Sequence, residues 1–165
     1  MSSSTLMDAP AYDPTRDRII KASLITVVVL AIAGFLIGFG GFVAGHGWFF
    51  SNFGYEHKVN RFFEALEAKD YKKAYALYEN DDQWEQHPDK FGYPLNRFIE
   101  DWTTHSPVNG PIREHHVDVS KSDGSGNFGT GIIVAVRVNG NHKLFMYVNR
   151  ADGTMTWPAP HELQY

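Results

Sequence analysis

Between Lys21 and Glu56 the chain carries no Asp, Glu, Lys or Arg, although 15 basic and 19 acidic residues occupy the rest of its 165 positions. That gap constrains the fold more than any other feature. Its first 24 residues, Ala22–Gly45, would span about 36 Å as an α-helix, enough to cross a hydrocarbon core of about 30 Å. The segment IIKASLITVVVLAIAGFLIGFGGFVAG, residues 19–45, therefore reads as a transmembrane helix. A signal-peptide core is shorter, about 7–15 residues, although the small-x-small match Val43-Ala44-Gly45 leaves cleavage as an alternative. A buried helix of a soluble domain rarely runs this long without polar residues.

The flanks orient the span. Arg16, Arg18 and Lys21 precede it, and no Lys or Arg follows until Lys58. Basic residues stay cytoplasmic and acidic ones weigh little. The N-terminus is thus expected in the cytoplasm and the C-terminal part in the periplasm or outside the cell, with the span in the cell (inner) membrane. Residues 1–18 are polar, proline-containing and balanced in charge, and read as a disordered tail. Residues 46–55 read as an aromatic linker. Trp48, Phe49, Phe50 and Phe53 suit the outer interface, where aromatic rings meet headgroups; packing beneath the following domain is the other reading.

Small residues recur inside the span at Ala31, Gly34, Gly38, Gly41 and Gly45. These spacings of three and four place them on one helical face. In lipid, helices associate through close van der Waals contact, which such a groove permits. The expected partners are membrane lipid and other transmembrane helices, from a second copy or a larger complex. The alternative is that glycine is simply frequent in membrane helices.

From Glu56 the periodicity is that of a water-soluble domain. Val59, Phe62, Phe63 and Leu66 follow helical spacing within residues 56–69, as do Ala74, Tyr75 and Tyr78 after a capping Asp70. A third helix, opened by Pro94, carries Leu95, Phe98, Ile99 and Trp102. Strand patterns follow at Ile112–Ser120, with Val117 and Val119 on one face; at Phe128–Val138, with Ile132, Val134, Val136 and Val138 inward; at His142–Asn149; and at Thr154–Trp157. Lys121–Asn127 is a turn, and Asn139-Gly140 signals a tight hairpin. The expected fold class is α+β: one N-terminal transmembrane helix, then a domain over residues 56–160 with about three helices on a curved antiparallel sheet of about four strands. Residues 161–165 are expected as a C-terminal tail.

The run VNRFFEALEAKDYKKAYALY resembles the opening of cystatin-like, nuclear-transport-factor-two-like domains of bacterial membrane-anchored and exported proteins. The resemblance covers roughly Glu56–Trp157. It implies a cone-shaped domain whose sheet encloses a pocket or offers a surface to a partner. Such folds serve as enzymes, ligand binders and assembly components, so it does not choose a function.

The sequence contains no cysteine, which excludes disulfides and thiol chemistry. Its formal net charge of -4 argues against nucleic acid as a partner. His115 and His116 are adjacent on a strand and should point to opposite faces, which disfavours a metal site. Asp101 and His105 share a helical face and would be the acid–base pair of a cryptic enzyme, but Asp101 lies beside the apolar stripe, which favours a solvated pair. No phosphate-binding or dinucleotide fingerprint occurs, and no cofactor is expected. Tyr75, Trp84, Trp102, Phe145 and Trp157 could line a cavity for a small apolar ligand, or be core. The expected function is therefore non-enzymatic: a single-pass accessory or assembly subunit of a membrane complex.

Overall fold

The computed structural model describes residues 14–123 and 129–165. Most of the expected tail, the last four residues of the turn expected over Lys121–Asn127, and the first residue of the strand expected over Phe128–Val138 lie outside those residues. The chain divides into two compact units, Met1–Gly38 and Phe39–Tyr165.

The first helix, α1, runs from Pro14 to Val43. Proline at a first helical position loses nothing, because its missing N–H would have no partner there. Residues Thr15–Arg18 thus extend the helix and are not part of a tail, and its start is corrected from Ile19 to Pro14. Its apolar side chains are uncovered, with Ile25, Leu30 and Phe35 each about 60% exposed or more. The helix stops at Val43, and Gly45 (φ 84°) turns the chain out of it in the left-handed region.

The second unit holds three further α-helices among its described residues: α2 (Phe53–Glu67), α3 (Tyr71–Glu79) and α4 (Leu95–Trp102). Helix α2 starts before the expected Glu56, because Phe53–Tyr55 join its first turn. Asp70 caps α3 by accepting from Lys73 N at 3.1 Å. Asn80 ends it in the left-handed conformation, φ 53°. Pro94 is extended and stands just before α4, not at its first position.

The strands β1 (His115–Ser122), β2 (Gly131–Val138), β3 (His142–Asn149) and β4 (Met155–Thr156) form an antiparallel meander in chain order. The turn at Asn139 (φ 46°) and Gly140 (φ 93°) is left-handed at both positions, as a tight hairpin requires. The fold is α+β, as expected.

Helix and sheet meet over one main core. Val59, Phe62 and Phe63 of α2, Tyr75 of α3, and Phe98 and Trp102 of α4 close on Ile132, Val134, Val136, Leu144, Met146 and Val148. Phe62 and Trp102 cross edge to face, 5.0 Å between ring centres. One expected alternation fails. A bulge at Asp118 pairs Val117 with Val136 but Val119 with Ala135. The extra residue reverses the faces beyond it, so Val117 joins the main core and Val119 the opposite face. That opposite face is also covered: Ile133, Ala135 and Leu163 are buried there with Phe145 against them. The C-terminal residues are thus no loose tail. Leu163 seals the second face, and Tyr165 Oη donates to Asp118 Oδ2 at 2.7 Å.

A Cβ at Gly131 would stand 2.5 Å from the Val148 carbonyl oxygen and 2.4 Å from the Tyr147 ring. Because backbone on the paired strand cannot yield, Gly131→Ala should destabilise the domain by about 1–3 kcal/mol. Chemical denaturation measures this as a lower midpoint at unchanged slope.

Candidate functional site

Two places gather chemistry that a folded core alone does not require. The first is the exit of α1. Trp48 stacks on Phe42, ring centres 5.3 Å apart, and Phe50 meets Phe53 at 4.9 Å. Trp48, Phe49 and Phe53 are 45%, 62% and 50% exposed, whereas Phe50 is half-buried. Three of the four expected interface residues therefore keep large apolar surface in the open, and Phe50 does not. Phe49 and Phe50 take positive φ, 51° and 55°, a conformation that costs a bulky residue about 1–3 kcal/mol.

A polar cluster that the sequence reading missed holds this turn. Glu56 is 8% exposed. His46 Nδ1 lies 2.8 Å from its Oε1, and Ser120 Oγ donates to the same oxygen. The Ser120 N–H donates to the Gly45 carbonyl at 2.7 Å, and Asn52 Nδ2 donates to the Ser120 carbonyl at 3.3 Å. Strand β1 is thereby fastened to the turn that follows α1. A signal for Glu56 was present: it precedes Val59, Phe63 and Leu66 by three, seven and ten positions, which places it on the buried face of α2.

The small-residue stripe divides here. A Cβ on Gly41 would meet the Gly47 carbonyl oxygen at 2.6 Å and Phe50 N at 2.7 Å, and one on Gly45 would meet Val119 Cγ1 at 2.8 Å. Both glycines admit the chain's own turn and strand, so neither is open to a second helix, and Gly45 lies outside the helix altogether. Gly38 is buried, whereas Ala31 is exposed and a Cβ on Gly34 would meet nothing within 4 Å. Gly41→Ala should accordingly lower the thermal midpoint of the detergent-solubilised chain, at a cost of about 1–3 kcal/mol. Gly34→Ala should leave that midpoint unchanged, and differential scanning fluorimetry separates the two.

The second place is a groove of about 570 Å³ between α3, α4 and β4, lined by Tyr78, Glu79, Tyr93, Asp101, Trp102, His105 and Trp157, among others. Of the expected cavity set, only Trp102 and Trp157 reach it. Tyr75 is buried in the main core with Trp84 against it, and Phe145 sits on the far face of the sheet. The set is split because the space enclosed by helices and sheet is filled by aromatic rings. Asp101 and His105 do line one groove, but each has its own partner. Asp101 accepts from Tyr93 Oη at 3.0 Å and Arg97 Nε at 3.2 Å, while His105 pairs with Glu100 at 3.3 Å.

His115 and His116 diverge as expected. His115 stacks on Phe63 and reaches Glu67 at 2.6 Å and Asn60 at 3.0 Å, whereas His116 is exposed. No group of three or more His, Asp or Glu among the described residues is placed to hold a metal.

Burial pushes the Tyr78 phenol up to about 12, with the nearby Glu79 and Asp101 carboxylates acting in the same sense. Tyr93 is raised still further, by burial and by its bond to Asp101. Burial also raises the Glu79 carboxyl, against an opposing pull from Lys90.

Comparison of the chain with protein-family models, with curated proteins and with solved structures finds no match.

A raised phenol pKa means that the unfolded chain releases its proton first. The Tyr78 contribution is complete below the ordinary value of 10.0 and is lost as pH rises toward about 12. The denaturation midpoint should fall across that window, and fall less steeply in Tyr78→Phe.

Proposed function

We propose that the chain is a non-enzymatic single-pass membrane protein, an accessory or assembly subunit of a larger membrane complex. On this reading its N-terminus is cytoplasmic and its α+β domain, of cystatin-like type, lies in the periplasm or outside the cell and mediates protein interaction. The observation that carries the proposal is α1 itself. It is 30 residues long, near the N-terminus, and its most apolar stretch is only 6% buried. An uncovered helix of that composition needs an apolar solvent, and a bilayer supplies one.

Two further observations agree with it. The exposed rings of Trp48, Phe49 and Phe53 cluster where such a helix would leave the bilayer. Beside them a groove of about 600 Å³ combines Phe42 and Trp48 with Lys121 and Arg150, a pairing suited to lipid chains and anionic headgroups. Docking to another transmembrane helix is assigned to the open part of the small-residue face, Ala31 and Gly34, and no longer to Gly41 and Gly45.

The test is a paired substitution. Ala31→Leu with Gly34→Leu should strip co-purifying membrane partners or reduce the oligomeric size in mild detergent, leaving the domain's thermal midpoint in place. Unchanged partners and unchanged size would overturn the docking assignment.

A further inference from the structure

We propose that the groove between α3, α4 and β4 binds a small organic ammonium ion, with Glu79 as its counter-charge. This is independent of the membrane reading and differs from a site for an apolar ligand in what the groove recognises.

Glu79 is the decisive residue. It is half-buried at the end of α3, and burial disfavours its charged form. Among the described residues its carboxylate accepts no hydrogen bond and forms no ion pair; Lys90, which acts on it, is committed to Asp81 at 3.0 Å. A partly desolvated carboxylate with no side-chain partner gains more from a bound cation than a fully solvated one does.

The walls say which kind of cation. Tyr78, Tyr93, Trp102 and Trp157 line the groove together with Glu79. Trp157 stands 38% exposed there, and its ring centre lies 6.1 Å from that of Trp102. A divalent metal requires several oxygen or nitrogen ligands held together, and no group of three or more His, Asp or Glu among the described residues is placed to hold one. Aromatic faces attract alkylammonium groups, which are large, weakly hydrated and polarise the ring. Asp101 adds a second carboxylate at the rim, shared with Tyr93 and Arg97. No Lys or Arg lines the groove, and of its two carboxylates Asp101 is paired with Arg97 whereas Glu79 has no side-chain partner among the described residues. The volume of about 570 Å³ falls in the range of small-molecule sites, about 300–1,000 Å³, which favours a free ammonium compound over a protein side chain.

The experiment uses the full chain in maltoside micelles, which carry neither charge nor ammonium groups. Choline is titrated while tryptophan fluorescence and heat are followed, with sodium chloride as the ionic-strength control. The neutral carbon isostere, in which a tert-butyl group replaces trimethylammonium, is titrated in parallel. Choline should saturate and bind at least about tenfold more tightly than the isostere. Glu79→Gln should lower choline affinity by about tenfold and leave the isostere unchanged, and Trp157→Leu should weaken choline binding. Equal affinity for choline and its isostere in the unsubstituted chain would overturn the proposal, as would a choline response no greater than that to sodium chloride. Neither outcome depends on a variant folding.

Discussion

Glu56 is the residue on which the junction between β1 and the turn after α1 depends. A carboxylate at 8% exposure is tolerated only if its lone pairs are used, since an unmet buried polar group costs about 1–3 kcal/mol. Here Ser120 and His46 use them. The bond to Ser120 places β1 against the turn after α1, where its backbone also pairs with Gly45. That pairing in turn forces Gly45 and Gly41 to be glycine, because strand and turn occupy the space a side chain would need. The left-handed Phe49 and Phe50 are held in the same knot. Two glycines and a strained aromatic turn thus belong to one junction, with Glu56 buried at its centre.

The consequence for function is a change in what the glycines mean. Read along the sequence, five small residues in register form one docking face. Read in three dimensions, the last two serve the protein's own junction. Spacing reports which residues share a face, but not what lies against it, and a chain that turns back on its own helix competes with any partner for the same groove.

The local elements were legible because they rest on periodicity. The stripes of α2, α3 and β2 were each apparent from residue spacing, as was the left-handed Asn139-Gly140 hairpin. The bulge at Asp118 was not, since one unpaired residue leaves the alternation of types intact while reversing the faces. The covering of the sheet's second face by Leu163 was likewise hidden, because short C-terminal segments carry no period. The candidate groove was half legible. Trp102 and Trp157 could be named from their size, but Glu79 looked like any solvated helix-end carboxylate, and only packing shows it half-buried at the groove.

The account as a whole turns on α1 crossing a bilayer with the α+β domain on the far side from the N-terminus. Because the sequence has no cysteine, single introduced thiols report sidedness without background. Ser3→Cys and Ala151→Cys can each be exposed, in intact cells, to a maleimide that does not cross the inner membrane. The account predicts labelling at position 151 without lysis and at position 3 only after it. Labelling of both before lysis, of neither, or of position 3 alone would contradict it.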